Sequence, residues 1–291
     1  MLEFGDLDWD VFKNKVALAT GARLDDYKPE QMRRRIATLA QRAGMTSFTA
    51  YYSLMARDPK EMSVFLERMT INVSELFRNP ERFDELRDMI GKAFVSNKLA
   101  ITRPLISVWS AGCSYGAEVF SLAILFDELK LGHVARFTAT DIDKNILERA
   151  RLGRFHQTEM QNLSPERRNA YFRQTNEEEY IVVDKLRERI EFAEQDLLAG
   201  PYPKEAYDLI ACRNVVIYFT DEAKRRVYEG LYSALKPGGI LFIGSTERIT
   251  DHRSFGFDLI MPFFYRKPAV GACQPSALAV GSVAALASKA A

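Results

Sequence analysis

Leu105-Ile106-Ser107-Val108-Trp109 runs without interruption into Ser110-Ala111-Gly112-Cys113-Ser114-Tyr115-Gly116-Ala117-Glu118, and this stretch decides the fold. The apolar run predicts a buried strand, and the amphipathic segment Ala117–Leu129 predicts the helix that follows it. Glycine at 112 and 116 lets the chain turn tightly and lets a ligand approach the backbone closely. The full G-x-G-x-x-G is absent, so the loop suits either a cofactor or a plain strand-to-helix turn. Working outward, the same alternation recurs. Apolar runs Phe137–Thr140, Ile190–Ala193, Tyr207–Cys212 and Ile240–Ile243 are interleaved with helical patterns Lys144–Arg151 and Glu222–Leu235. Strand and helix in regular alternation predict an α/β fold: a doubly wound, mostly parallel sheet with helices on both faces.

The flanks differ in texture. Of the 291 residues, 1–70 carry only helical periodicity, with Met32, Ile36, Leu39 and Ala40 on one stripe and Val64, Phe65 and Met69 on another. They predict an all-helical N-terminal domain. Residues 71–267 form the α/β domain. Its rhythm breaks between about 171 and 189, where Tyr180–Val183 predicts a small β insertion. Residues 268–291 are Ala-rich with Lys289 as their single charge, and are expected to be a disordered tail. Forty Lys+Arg against 39 Asp+Glu leave a net charge of +1, which argues against a general nucleic-acid or membrane coat. Cys113, Cys212 and Cys273 form no C-x-x-C pair, so neither a disulfide framework nor a zinc ribbon is expected. His133, His156 and His252 lack ligand-like spacing, and no metal is expected. With no signal segment and no long apolar run, the expectation is a cytoplasmic, monomeric protein.

Asp141, in Thr140-Asp141-Ile142-Asp143, ends the second strand. An acid there can accept from both ribose hydroxyls, or it can cap the helix beginning near Lys144. One aspartate can cap while the other binds. These features suit a dinucleotide or S-adenosylmethionine. Leu235-Lys236-Pro237-Gly238-Gly239-Ile240-Leu241-Phe242-Ile243 separates them, because it resembles a signature of class I S-adenosylmethionine-dependent methyltransferases, whose sheet carries one antiparallel strand. Pro262–Tyr265 is placed to return beside it as an antiparallel edge.

Further blocks sharpen the resemblance. Asn72-Val73-Ser74-Glu75-Leu76-Phe77-Arg78 matches N-x-[ST]-x-x-F-R, and Cys212-Arg213-Asn214-Val215-Val216-Ile217-Tyr218-Phe219 matches C-R-N-V-x-I-Y-F. Together with the glycine loop and Ala139–Asp143, they make the chain similar to the CheR family of chemotaxis protein-glutamate O-methyltransferases over about residues 1–267. The resemblance implies transfer of a methyl group from S-adenosylmethionine to glutamyl carboxylates of methyl-accepting chemoreceptors, with S-adenosylhomocysteine as product. It implies cofactor contacts from Asn72, Ser74, Arg78, Glu118, Asp141, Asp196, Leu197, Arg213 and Asn214. Arg78 and Tyr218 are the expected catalytic residues, one on the cofactor carboxylate or as a loose orienter, the other as a wall near the methyl group. Asp196 stands where the family commonly has Asn, and suits a contact to the adenine amine. The glycine-poor Gln174–Tyr180 departs from members that grip a receptor pentapeptide, which speaks against such tethering.

Arg33-Arg34-Arg35 lie on an expected helix, about 100° apart around its axis. A solvated charge run is one reading. The other, implied by the resemblance, is a docking face for the acidic cytoplasmic coiled coil of a chemoreceptor, so that the membrane is met only through receptors. Two alternatives stay open for the whole chain: methylation of another protein or a small acid, and a non-catalytic module that binds the cofactor and docks.

Overall fold

A computed structural model describes residues 4–70, 74–96 and 105–269 of the chain. Asn72 and the segment beyond 269, and with them most of the expected tail, lie outside the described residues.

Four helices open the chain: α1 (Asp6–Thr20), α2 (Pro29–Arg42), α3 (Phe48–Met55) and α4 (Pro59–Thr70). Each buries one stripe, and Phe12, Phe48, Tyr51 and Phe65 meet at the centre with no exposure. Local chemistry sets their ends. Pro29 begins α2 where a backbone N–H is dispensable. Ser47 caps α3 by accepting from Ala50 N at 3.1 Å. Asp8 on α1 adds a second cap, accepting from Phe48 N at 2.6 Å and Thr49 N at 3.0 Å. A further helix, α5 (Pro80–Ile90), precedes the sheet.

The sheet begins with β1 (Ile106–Ala111), followed by α6 (Ala117–Glu128), β2 (Ala135–Asp141) and α7 (Lys144–Leu152). Next come β3 (Arg154–His156), α8 (Pro165–Tyr171), β4 (Phe172–Gln174), β5 (Glu179–Val182) and the single turn α9 (Asp184–Arg187). The chain closes with β6 (Ile190–Glu194), β7 (Tyr207–Cys212), α10 (Asp221–Ala234), β8 (Leu235–Ile243), β9 (Asp258–Met261) and β10 (Phe264–Arg266). Seven strands form one sheet in the order β6-β2-β1-β7-β8-β10-β9. β10 runs antiparallel to both of its neighbours, whereas β6, β2, β1, β7 and β8 pair in parallel. This is the doubly wound α/β sheet of class I methyltransferases, with its single antiparallel strand.

Three details differ from the sequence reading. Phe264–Arg266 is antiparallel but not the edge, because β9 pairs on its outer side. Pro237-Gly238-Gly239, which lies between the expected helix Glu222–Leu235 and the expected strand Ile240–Ile243, does not separate two elements but bulges out within β8: Tyr207 pairs with Leu235, and Leu209 next pairs with Ile240. Proline lacks the N–H a ladder needs, and Gly238 takes φ +80°, so these residues leave the register while the strand continues. The small sheet has the order β3-β5-β4. It therefore recruits Arg154–His156, well before residue 171.

The helical bundle and one face of the large sheet share a continuous hydrophobic core, which includes Phe12, Met32, Trp109, Ile210 and Leu241. The bundle is joined to the sheet at a seam. Tyr27 bridges Phe219 in antiparallel fashion. Lys28 N donates to Tyr218 O and Thr220 N to Asp26 O, each at 2.9 Å. Asp26 also pairs with Arg226 and, at 2.9 Å, with Arg23.

Candidate functional site

Chain order reverses between β1 and β7, since β2 lies on one side of β1 and β7 on the other. Open α/β sheets bind ligands at such a point, outside the carboxyl ends of the strands. A cleft open to solvent lies there. It is lined by the ends of β1 (Gly112–Ser114), β2 (Asp141, Ile142), β6 (Gln195–Leu197) and β7 (Arg213–Val215), with Tyr218 and Phe219 beyond. The structure brings Ser74, Arg78, Glu118, Asp141, Asp196, Leu197, Arg213, Asn214 and Tyr218 to this one cleft. Asn72 cannot be placed, being outside the described residues.

Backbone strain is concentrated at the cleft. Among the described residues seven non-glycine positions have positive φ, and Phe77 (53°), Asn79 (60°), Ser114 (51°) and Asn214 (60°) are four of them. Such conformations cost on the order of 1–3 kcal/mol each and persist only when their surroundings hold them. Here side chains hold them one by one. Ser121 Oγ accepts from Phe77 N at 2.8 Å. Asp141 Oδ2 accepts from Ser114 N at 2.8 Å, and Glu247 Oε2 from Asn214 N at 3.0 Å. Arg213 Nη2 donates to Asn79 Oδ1 at 3.2 Å and to Arg78 O at 2.7 Å. The flanks of Arg78 are thereby fixed.

Arg213 is only 7% exposed. Its guanidinium lies 4.5 Å from the Phe242 ring centroid and 5.2 Å from that of Phe83, and 3.9 Å from Glu118 Oε2. Burial presses its pKa down while Glu118 opposes the shift. Burial likewise raises the Glu118 carboxyl, against Arg213 and against a 2.7 Å hydrogen bond from Ser110 Oγ. Together with half-buried Arg78, Glu118 and Arg213 form a charged end of the cleft, one anionic and two cationic side chains able to meet an amino-acid zwitterion.

The two aspartates divide their work. Asp143 Oδ1 caps α7, accepting from Asn145 N at 2.9 Å and Ile146 N at 3.3 Å. Asp141 accepts from Asp143 N at 3.1 Å as well as from Ser114 N, and keeps lone pairs toward the cleft it lines. Burial raises its pKa first of all, and the backbone N–H groups lower it. The Ser114 hydroxyl beside it is buried and has no partner among the described residues. An acceptor pair and an unpaired hydroxyl fit the diol of a ribose. Farther along the cleft, Asp196 Oδ1 accepts from Leu198 N at 2.8 Å, which holds the acid in a turn. The donor set fits S-adenosylmethionine from amino acid to base. Among the described residues no group of three or more His, Cys, Asp or Glu could hold a metal ion.

Several lining residues escape sequence reasoning. Tyr27, Met69 and Thr70 come from the helical bundle, and Glu247 acts from behind the cleft. None belongs to a glycine loop or strand-end pattern. The three arginines also part company. Arg33 Nη1 pairs with Asp6 at 2.6 Å, and Arg34 is exposed. Arg35 is half-buried at the seam, donating to Met69 O at 3.0 Å with its guanidinium 5.7 Å over the Tyr218 ring. They do not form one uniform face.

Comparisons with known proteins place the chain among CheR methyltransferases. A family model described as the SAM-binding domain of CheR methyltransferases matches residues 72–259, and one described as their all-alpha domain matches residues 7–70. The chain is 35% identical over 260 residues to a chemotaxis protein methyltransferase of Listeria monocytogenes, covering 89% of this chain and 97% of that one. It is 30% identical over 257 residues to one from Vibrio parahaemolyticus, covering 86% and 92%. A relative from Borreliella burgdorferi, also named a chemotaxis protein methyltransferase, is 27% identical over 254 residues, with 85% and 89% covered.

Proposed function

The chain belongs to the CheR methyltransferase family, and from that premise we propose that it methylates glutamyl side chains of chemoreceptors, as a protein-glutamate O-methyltransferase in chemosensory adaptation. The observation that carries the reading is the cleft itself. Asp196 follows β6, Asp141 ends β2 and Arg213 follows β7 in the sheet order β6-β2-β1-β7, a succession that suits base, ribose and amino acid, and Tyr218 lines the same cleft.

S-adenosylmethionine, when bound, supplies an electrophilic methyl group on a sulfonium. A substrate glutamate, with a reference pKa near 4.3, is already ionised at neutral pH. The protein therefore needs to orient and to exclude water, rather than to remove a proton. A tight ion pair on the nucleophile would slow the transfer, because opposite charges are being consumed. Arg213 suits that demand, since Glu118, the Arg78 and Asn79 oxygens and two aromatic rings occupy its surroundings. Arg78 and Glu118 hold the amino-acid end. Asp141, Ser74, Asn214 and Asn72 serve the cofactor along its length, and Asp196 and Leu197 serve its base. Tyr218 walls the methyl position, its backbone tied to Lys28 N. A pocket reading of Asn72 rests on the family motif alone.

The chain divides near residue 70 into a helical docking region and a catalytic region, a division that the separate matches to 7–70 and 72–259 support. Arg34 is an exposed cation on α2, offered to an acidic receptor helix. The turn of the small sheet is closed by Thr175 N donating to Glu179 O at 2.9 Å, and Asn176 Oδ1 accepts from Glu178 N and Glu179 N at 3.0 and 2.8 Å. Its acidic tip, Glu177–Glu179, suits no acidic peptide, so docking is assigned to α2. No helix among the described residues is long and apolar enough to cross a membrane, and work in the cytoplasm on receptor tails fits that.

Incubation with labelled methyl donor and receptor-bearing membranes, followed by mild alkali, tests the reading. A glutamyl ester releases volatile labelled methanol. Alkali-stable label, or no receptor labelling, would overturn it.

A further inference from the structure

Tyr27 lies between α1 and α2, in the helical bundle, yet its side chain lines the cofactor cleft. It is 7% exposed. Its ring packs edge-on against Phe219, with centroids 5.2 Å apart and planes at 82°, and the bridge between the two backbones fixes its position. The ring is thus accounted for by packing. The hydroxyl is not. Among the described residues it has no hydrogen-bond partner, although Asp196, Asp141, Asp26 and Arg35 are near enough to act on it. The ring is buried, but the oxygen opens onto the cleft that the residue lines, where a ligand can reach it. Burial, and after it the charges of Asp196 and Asp141, raise the phenol pKa far above neutrality. The group is a permanent donor.

What that donor meets follows from its neighbours. Asp141 and Asp196 are carboxylates, which accept hydrogen bonds and, when ionised, donate none. A nucleoside carries acceptors as well as donors: ring nitrogens of the base and oxygens of the ribose. The amide of Gln195, another polar side chain lining the cleft, is turned away to Pro201 O at 3.0 Å. Tyr27 adds a donor beside these acceptors.

We propose that Tyr27 is a cofactor-binding residue contributed by the helical bundle, its hydroxyl donating to an acceptor on the nucleoside half of S-adenosylmethionine. The proposal rests on reading the cleft as the cofactor site, and it extends that site across the seam to a region outside the α/β sheet. A neutral hydrogen bond of this kind changes affinity by roughly three- to tenfold.

Calorimetric titration of the full chain with S-adenosylhomocysteine and with methylthioadenosine, which lacks the amino-acid end, tests it. Tyr27→Phe should weaken both by the same factor, about three- to tenfold, with the thermal midpoint of the ligand-free protein unchanged. Wild-type affinity for both ligands would reduce Tyr27 to packing. Loss confined to S-adenosylhomocysteine would move the contact to the amino-acid end and overturn the proposal. A variant too unstable to bind would also overturn it, because a hydroxyl without a protein partner can be removed at little cost to the fold. If the wild-type protein bound neither ligand, the cofactor assignment of the cleft would fail, and the proposal with it.

Discussion

One carboxylate oxygen of Glu247, Oε2, accepts from Asn214 N at 3.0 Å and from Gly244 N at 2.6 Å. It ties the ends of β7 and β8 together where Asn214 takes its left-handed conformation. Glu247 is 4% exposed. Glu247→Ala leaves two buried N–H groups without an acceptor and frees a strained backbone. Unfolding in urea should show a loss of about 2–4 kcal/mol, and cofactor affinity should fall with it. Glu247→Gln keeps an acceptor oxygen and should retain most of both. Equal losses in the two variants would show that the charge, facing Arg213, matters more than the hydrogen bonds.

Asp141→Ala removes the carboxylate expected at the ribose. Affinity for S-adenosylhomocysteine should fall by one or two hydrogen bonds to a charged acceptor, about 1.5–3 kcal/mol each. Ser114 N loses its partner in the same variant, so calorimetry is to be paired with a stability measurement. Unchanged affinity in a folded variant would limit Asp141 to bracing the glycine loop.

Asp141 also predicts a pH dependence. Burial raises its folded-state pKa above the ordinary 3.8, so the folded chain holds this proton more tightly than the unfolded one. The stability it contributes is fully present below about pH 4 and is lost as pH rises through the raised folded value. Asp141→Asn cannot titrate. Its urea midpoint, relative to wild type, should therefore climb between pH 4 and 7. A constant difference across that range would show that Asp141 titrates alike in the folded and unfolded chain.

The three arginines of α2 are separable by substitution. Arg33→Ala breaks a surface pair with Asp6 and should cost under about 1 kcal/mol of stability. Arg34→Ala should raise the KM for receptor and flatten the salt dependence of turnover, leaving kcat and cofactor affinity alone. Arg35→Ala releases Met69 O and the Tyr218 ring, and should lower kcat about fivefold, the worth of a half-buried cation–π contact. If Arg35→Ala changed KM alone, it would belong with Arg34 on the docking face.

The parts of the site readable in the sequence are those written in consecutive residues. Gly112 and Gly116 sit at φ +78° and +91°, in the conformation for which glycine is used, and the strand before them and the helix after them obey simple periodicity. Asp141 is favoured over Asp143 in the sequence by its place at the strand end and by the family resemblance, since an aspartate can either cap or bind. The assignment is decided by which oxygen faces Asn145 N. Tyr27, Arg35 and Glu247 leave no such trace. A tyrosine before an amphipathic helix reads as core, and an arginine in a basic run reads as surface. Their roles come from Phe219, Tyr218 and Asn214, distant partners chosen by packing. The antiparallel strand is legible as a strand, but its place inside β9 depends on a short pairing that β-propensity does not rank.

The seam has a consequence for how the molecule is made. Asp26 and Arg226 are 200 residues apart, and Tyr27 meets Phe219 only when that stretch of chain has been synthesised. The helical bundle can bury Phe12, Phe48 and Phe65 from its own residues as it leaves the ribosome. Asp26 and Tyr27 must wait, for roughly 10–40 s at about 5–20 residues per second. Closing so long a loop costs entropy before its contacts return any energy. The bundle is thus complete well before the ligand site to which it lends a side chain, and that site is finished by the final closure of the chain upon its own beginning.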